Sequence, residues 1–318
     1  MIQHLPTKRP SARHFSILFI CLFLFSVPSS FAQEKEAMDE NGMSAQESKE
    51  EKVTQTFRHT RVINSHSIET LPARKMDFRI AHRFGDIAGN AGGWPTFYGL
   101  ENASDVSIGF EYGITDNIMF GVNRAKGSGP LKQLVNTFLK IRIMNQEING
   151  NLPFSLTVVG INAFSTMQKS ASVDALNFFE NGSHRFAYHL GFHVARKFSD
   201  AFSLQLNTAW TFRNIVPFGD QNDLPSIGGS LRWNVSKALG IIVDTTFPID
   251  TDFRTTENGY YPVVGIGFEF DTSGGHVFQL NVTNATGLSE TDFIPYTTSN
   301  WGDGEFRLGF TISRLFSI

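Results

Sequence analysis

Ionisable side chains recur at alternate positions along most of this sequence, and their spacing limits the chemistry that they could perform. His189 and His193 are four residues apart, a spacing that on a helix would direct two imidazoles at one metal ion. On a strand the same spacing separates the two positions by roughly 13 Å, which is too far to share an ion without a third element. We therefore predict no metal site, and interpret both residues as members of a polar network.

The other candidate catalytic and binding patterns are weak. A lipase-type hydrolase needs a serine, a histidine and an orienting polar residue at one site, but no Gly-x-Ser-x-Gly elbow leads into a helix. Asp220, Asn222 and Asp223 resemble a calcium loop in composition only, because the glycine and distal glutamate of that motif are missing. We predict no enzyme, cofactor or metal, and keep an outer-membrane hydrolase as the least favoured alternative.

The elements that carry these side chains have the pattern of strands. Apolar residues alternate with small or polar ones along Val106 to Ile114, Phe186 to Val194 and the terminal stretch Glu305 to Ile318, and successive strand side chains point to opposite faces. We count twelve such runs, joined alternately by tight turns and by connections of roughly 10 to 20 residues. Two connections fit this alternation less well, since Asn145 to Leu152 is long for a periplasmic turn and Ala125 to Pro130 is short for an external loop. This predicts an all-β fold, a closed antiparallel up-and-down transmembrane barrel of about 12 strands in a bacterial outer membrane.

In such a barrel the apolar positions face lipid and the other positions, mostly small or polar, face the lumen. The charged and histidine residues with lumen parity are Asp77, Arg79, Arg83, Glu111, Lys140, Arg142, His189, His193, Arg213, Arg232, Asp244, Glu269 and Arg307. Seven are positive and four negative, which favours anionic solutes if the lumen conducts. Alternatively the charges pair across the lumen and close it, since eight-stranded barrels are filled and sixteen-stranded barrels are open.

The first 74 residues differ from the rest. Lys8, Arg9 and Arg13 precede the apolar run Ser16 to Val27, and small residues precede Gln33, so we interpret residues 1–32 as a signal peptide. Residues 33–57 are rich in charge and predict a disordered leader. The predicted barrel domain is 58–318, in which 58–74 is too mixed for a lipid-facing strand. That segment could enter the barrel as a plug or lie across the periplasmic rim.

Composition excludes several classes of protein. The only cysteine is Cys21, inside the predicted signal peptide, so disulfides and thiol catalysis are excluded from the mature chain. Removing the signal peptide takes away three positive charges and moves the net charge from -3 to -6, which argues against a nucleic-acid partner. The charged fraction of 18% is low for a soluble surface.

Several separated motifs carry a resemblance to a known family. They include Arg61-Val62-Ile63-Asn64, His82-Arg83-Phe84-Gly85, Ala195-Arg196-Lys197-Phe198-Ser199, Gly275-His276-Val277-Phe278-Gln279-Leu280 and Ile312-Ser313-Arg314-Leu315-Phe316. With them the chain resembles a family of bacterial outer-membrane β-barrels of unknown function over nearly everything after residue 57. The resemblance implies the fold and location, and that Phe57 to Pro72 belongs to the domain, but it implies no activity.

Two functions stay open from the sequence. One is a narrow or gated pore, or a binding barrel, for small solutes, with anionic solutes as candidates. The other is a non-conducting scaffold whose acidic leader or long loops, Gly85 to Ala103 and Asn284 to Asp303, engage a partner. In either case we expect outer-membrane lipid around the barrel, and recognition of the strand Glu305 to Ile318 by the barrel-assembly machinery.

Overall fold

A computed structural model of the chain describes residues 52–250, 252–272 and 276–318. The predicted signal peptide and residues 33–51 of the predicted leader lie outside the described residues. Residues 52–57, which the sequence assigned to the leader, already contact the barrel, since Thr56 and Phe57 are buried.

Twelve antiparallel strands close into one barrel, in which each strand pairs with its neighbours in the sequence and β1 pairs with β12. The strands are β1 (Lys75–Asp86), β2 (Ala103–Thr115), β3 (Ile118–Ala125), β4 (Leu134–Met144), β5 (Ser155–Ser165), β6 (Phe186–Lys197), β7 (Phe202–Arg213), β8 (Asp223–Asn234), β9 (Leu239–Pro248), β10 (Val263–Thr272), β11 (His276–Thr283) and β12 (Arg307–Ser317). The predicted up-and-down barrel of about twelve strands is confirmed.

The alternation of side chains sorts the two faces of the wall as the sequence predicted. Phe110 and Leu206 point outward with 46% and 51% of their surfaces exposed, whereas the adjacent Glu111 and Gln205 point inward and are almost fully buried. Outward apolar rows suit lipid contact, and inward polar rows need partners inside the lumen.

The lumen wall also carries an apolar patch that the sequence analysis did not single out. Met119, Phe138, Val159 and Ile161 form a buried cluster with Leu71, which precedes β1. These wall residues face inward because they share the parity of the polar lumen rows. The patch therefore provides apolar contact area for chain that lies inside the barrel.

Helical structure is short in the described chain. One α-helix, α1 (Glu290–Tyr296), lies in the connection between β11 and β12, and four 3-10 turns occupy Trp94–Thr96, Leu176–Phe178, Gly182–Arg185 and Trp301–Asp303. The predicted all-β fold included no helix, so α1 differs from that expectation. Among the described residues no helix combines the length and the apolar character needed to cross a membrane.

Candidate functional site

Residues 57–72, which we call the plug hairpin, fold back on themselves inside the barrel. Arg61 pairs with His66, the Val62 amide donates to the Ser65 carbonyl at 3.0 Å, and the Ser67 amide donates to the Thr60 carbonyl at 2.9 Å. The hairpin is continuous with the start of β1, so it enters from the end of the barrel that carries the short turns. Residues 58–69 lie in the lumen, whereas Pro72, Ala73 and Arg74 are exposed at the rim beside Asp116, so the segment 58–74 occupies both of the positions that the sequence left open.

The long turn between β4 and β5 receives the chain before the hairpin. Lys52 forms a bridge with Glu147, and the Val53 amide donates to the Gln146 carbonyl at 2.8 Å. The Gln146 side chain also exchanges hydrogen bonds with the backbone of Lys197 at the end of β6. This contact accounts for a connection that is long for a periplasmic turn, since it guides the chain into the lumen.

Asp244 on β9 holds the tip of the plug hairpin. Its carboxylate accepts from the backbone amides of Asn64 and Ser65, both at 2.7 Å, and from the Ser65 hydroxyl at 3.0 Å. Adjacent amides at a turn converge their positive dipoles on one point, where an anion is strongly bound. The tip is therefore fixed by one charge of the wall.

Lys140 on β4 holds the two arms of the hairpin together. Its ammonium donates to the carbonyls of Thr60, Ser67 and Glu69 at 2.8, 2.9 and 2.8 Å. An ammonium has three donors, so all of them are used on backbone of the hairpin. Because Lys140 is fully buried, its charge depends on these three carbonyls.

Other wall charges pair with acids. Arg79 lies 3.2 Å from Asp77 and 3.8 Å from Glu111, and Arg232 forms a close ion pair with Glu269. The pairs Arg79–Glu111 and Arg232–Glu269 join different strands of the wall, Asp77 lies on β1 together with Arg79, and none of these pairs includes a residue of the hairpin. Arg142 differs, because its partner at 2.9 Å is Glu69 of the hairpin.

Apolar packing seats the same hairpin. Phe57, Val62, Ile63 and Ile68 form a buried cluster with Ala195 of β6 and Ile242 of β9. Fully burying an aliphatic side chain contributes about 1.5–3 kcal/mol. The hairpin is thus held by apolar contacts as well as by charge.

Residues 284–299, which we call the inward loop, fill the lumen from the opposite end. They follow β11, and their helix α1 is buried from Glu290 to Pro295. Arg307 of β12 donates to the Asn284 carbonyl at 3.2 Å and to the Ser299 hydroxyl at 2.8 Å. The wall thus binds the backbone and a hydroxyl of this loop, in the same way as it binds the backbone of the hairpin.

The plug hairpin and the inward loop meet inside the barrel. Arg61 of the hairpin forms an ion pair with Glu290 of the loop at 2.8 Å. Arg83 of β1 donates to the Asn64 side chain at 2.9 Å, to the Ala285 carbonyl at 3.2 Å and to the Gly287 carbonyl. One wall guanidinium therefore binds both segments at once.

Two carboxylates outside the strands anchor the connections at the loop end. Burial raises the pKa of Asp292 to about 7, and the nearby charge of Asp105 adds to this, although the Ser128 amide donates to it at 2.8 Å. Burial acts to raise the pKa of Asp220 as well, but hydrogen bonds from Arg254 and Arg213 outweigh this effect and hold the pKa below its ordinary value. Asp220 thereby links β7 to the connection between β9 and β10.

The buried histidines are oriented by hydrogen bonds at one nitrogen each. Nδ1 of His189 lies 3.0 Å from the Thr211 hydroxyl, and Nδ1 of His193 lies 2.8 Å from the Asn207 side-chain oxygen. Burial, with the charges of Arg61 and Lys140 next in size, lowers the pKa of His66 in the hairpin well below its ordinary value. In the range of residues described, no three His, Cys, Asp or Glu side chains stand as a ready set of metal ligands.

Three cavities between the wall and the two segments that fill the lumen have volumes of about 40, 20 and 20 Å³. Since a cavity needs about 10–15 Å³ of this kind to hold one water, each of the three has room for a few waters at most.

The thirteen candidate lumen residues all point into the barrel, and the structure divides them by partner. Those that contact the plug hairpin or the inward loop are Arg79, Arg83, Glu111, Lys140, Arg142, Arg213, Asp244, Glu269 and Arg307. Those that contact other wall residues alone in their hydrogen bonds and ion pairs with described residues are Asp77, His189, His193 and Arg232. Their proposed role in selectivity stays a prediction.

The residues of the inward loop that bind the wall and the hairpin, such as Glu290 and Asp292, were not among the predicted site residues. Ser289-Glu290-Thr291-Asp292 precedes Phe293 and Ile294, and a serine followed three residues later by an acid before an apolar run is typical of a helix start. That signal predicts α1, but it does not tell whether the helix lies inside the barrel.

Comparisons with known proteins add the following findings. A family model described as "Membrane bound beta barrel domain (DUF5777)" matches residues 57–316. No curated protein matches the chain. Similar solved structures include the NanC porin in a rhombohedral crystal form, with 6% identity, a TM-score of 0.45, and coverage of 76% of this chain and 99% of that one.

Two further solved structures are similar to the chain at low identity. The KdgM porin in complex with disordered oligogalacturonate has 8% identity and a TM-score of 0.43, with coverage of 77% of this chain and 99% of that one. The COG4313 outer membrane channel from Pseudomonas putida F1 has 14% identity and a TM-score of 0.43, with coverage of 78% and 98%.

Proposed function

The chain belongs to the family of membrane-bound β-barrel domains whose model matches residues 57–316, and on that premise we propose that it is a gated outer-membrane pore for small solutes with a preference for anions. Family membership confirms the resemblance drawn from the separated motifs. In the proposed cycle the plug hairpin and the inward loop are the two gates, and both are closed in the conformation described. The barrel acts by passage, not by catalysis.

The observation that carries this proposal is how three cations of the wall are neutralised. Lys140, Arg83 and Arg307 bind carbonyl and side-chain oxygens of the plug hairpin and the inward loop. Within the described ranges, none of the three forms an ion pair with a carboxylate within 4 Å. When the two segments leave the lumen, these charges stay on the wall and face water.

The balance of the remaining charges sets the sign of the open lumen. Departure of the hairpin also removes Glu69 from Arg142 and the turn amides from Asp244. Four cations then lack their partners against one carboxylate, because Arg79 and Arg232 keep their acids on the wall. A passage lined by this surplus attracts anions and repels cations.

A reversible lock on the plug hairpin tests the proposal. The Ser65 and Thr246 hydroxyl oxygens are 3.5 Å apart, so Ser65→Cys with Thr246→Cys places two sulfurs within reach of each other, and the only natural cysteine is Cys21. We expect discrete, anion-selective openings in planar bilayers from the reduced double variant, and their loss on oxidation. The two single-cysteine variants are the controls and should open under both conditions.

The opposite result favours a closed scaffold. If folded wild-type and reduced double variant both stay silent across voltages, the barrel is a non-conducting docking protein. The filled lumen is the observation that supports the docking protein as a second candidate. Its predicted docking loops change, however, because Asn284 to Ser299 is largely buried inside the barrel, whereas the loop Gly85 to Ala103 exposes Trp94 by 73%.

Export and assembly complete the proposal. The signal peptide directs the chain out of the cytoplasm, and the assembly machinery of the outer membrane recognises the end of β12. Apolar residues of that strand with outward parity, Phe310, Ile312 and Phe316, support insertion into lipid. The native protein should fractionate with outer membranes and migrate differently on gels before and after boiling; recovery from the soluble fraction would contradict this.

A further inference from the structure

Two histidines of β6 point the same ring nitrogen at one place. His189 and His193 are held through Nδ1 by Thr211 and Asn207, which leaves Nε2 of each ring directed away from those partners. The Asn207 oxygen accepts from His193 and from the Gln205 amide. Nε2 of His193 is therefore the unprotonated nitrogen of a neutral ring.

Gly191 creates the space between the two rings. A Cβ at this position would lie 3.1 Å from Nε2 of His189 and also 3.1 Å from Nε2 of His193. The two nitrogens are thus no further apart than twice that distance, although the backbone positions are separated by the roughly 13 Å expected for a strand. The side chains lean toward each other over the glycine, which the sequence spacing did not reveal.

A third imidazole shares the same cavity. His66 of the plug hairpin and Glu290 of the inward loop line the space of about 20 Å³ next to His189 and His193. Nε2 of His193 and Nδ1 of His66 are buried without a hydrogen-bond partner among the described residues. Buried polar atoms of this kind call for an occupant that can bind lone pairs.

We propose that this cavity is a binding site for one transition-metal ion, held by Nε2 of His189 and His193 and completed by His66. Neutral imidazole is the preferred ligand of copper, nickel and zinc ions. Metal-binding histidines have their second nitrogen fixed by a hydrogen bond, as Asn207 and Thr211 fix these two. The proposal does not depend on whether the lumen conducts.

Completion of the site joins the plug hairpin to the wall. The three rings do not converge on one ion as they stand, so the ring of His66 turns toward β6 when the ion binds. Arg61, which lies 3.0 Å from His66, is already neutralised by Glu290. The ion thereby fastens the hairpin to β6 and holds the closed conformation.

Copper(II) is the probe for the test. The full untagged chain is refolded with one equivalent of copper(II) and desalted, and the retained metal is measured together with its electron paramagnetic resonance spectrum. We expect one copper per chain with superhyperfine coupling to at least two imidazole nitrogens. No retained copper, or coupling to fewer than two nitrogens, would overturn the proposal without bearing on the pore.

Three variants locate the ion. His193→Ala should weaken copper binding at least tenfold, and Gly191→Ala should do the same with all histidines present, because its methyl group occupies the space between the nitrogens. His82→Ala is the matched control, since His82 packs on Phe310 and takes no part in the cavity. Wild-type affinity in a folded Gly191→Ala protein overturns the site. If that variant does not fold, the wild-type spectrum decides.

Discussion

Single wall residues carry much of the closure, and Lys140 and Asp244 do so with opposite charge. Lys140 binds three carbonyls on both arms of the plug hairpin, while Asp244 binds two amides and a hydroxyl at its tip. Each hydrogen bond to a charged group contributes about 1.5–3 kcal/mol. The position of the hairpin thus depends on a few side chains that are spread over different strands.

Lys140→Met should loosen the plug hairpin without unfolding the barrel. The change removes the donor from the carbonyls of Ser67 and Glu69, each at a cost of about 1–3 kcal/mol, whereas the Thr60 carbonyl keeps the Ser67 amide. It also removes one positive charge from the lumen. We expect faster amide exchange over residues 60–69 and more frequent openings with weaker anion selectivity.

The control for that variant is Lys75→Met, because Lys75 is partly exposed and contacts Ser317 on the neighbouring strand. Unchanged exchange over residues 60–69 in Lys140→Met would show that apolar packing alone seats the hairpin.

Among the connecting elements, the inward loop is the one that differs most from its expected role. Its helix begins at Glu290 after Ser289, and the loop turns into the barrel because Arg83, Arg307 and Ser128 bind its backbone and side chains. Loop length and composition do not indicate whether this connection turns into the lumen. In the proposed pore the inward loop is therefore a second gate in series with the plug hairpin.

Asp292 should make this second gate sensitive to pH. Its pKa is about 7 inside the barrel and near 4 in a released, solvated loop, so the inward position favours the protonated carboxyl. As pH rises from about 4 to about 7 the released loop ionises first, and the inward position progressively loses stability. Amide exchange of α1, corrected for its intrinsic pH dependence, should be faster at pH 8 than at pH 5.

Asp292→Asn should abolish that difference, because an amide keeps an acceptor for the Ser128 amide but does not ionise. An equal pH dependence in the two proteins would assign the effect to another group.

Oxidation of Ser128→Cys with Thr286→Cys should close the barrel by the loop alone. The two hydroxyl oxygens are 3.0 Å apart, so a disulfide can form at this contact. Combined with Lys140→Met, the oxidised lock should suppress the openings that the loosened hairpin permits. Openings that persist at the same frequency would mean that the loop is not a gate.

For the whole molecule, the alternation of apolar and polar residues predicted the barrel wall but not the segments that fill the lumen. Periodicity of two identifies which face Lys140 and Asp244 occupy, because it follows from strand geometry. Their partners are backbone groups of Thr60, Asn64 and Ser67. Every residue has such groups, so no sequence pattern indicates which of them bind the wall. The twelve strands were therefore readable, whereas the choice between plug and rim for 58–74 was not.

The outward face should be sensitive to charge in proportion to its depth in lipid. Leu206 lies in the middle of β7 and points outward, so Leu206→Lys should lower the free energy of unfolding in lipid vesicles by about 2–4 kcal/mol. Leu206→Ile is the apolar control. Equal unfolding midpoints in urea for the three proteins would contradict a lipid-facing position.

The place of residues 57–72 ahead of β1 has a consequence for assembly. This stretch is synthesised before any strand of the wall, yet its binding groups come from β4, β6 and β9. The lumen that binds this stretch forms only after most of the polypeptide has been synthesised. The barrel around it closes only when β1 pairs with β12. The earliest part of the domain to emerge is therefore among the last to reach its final place.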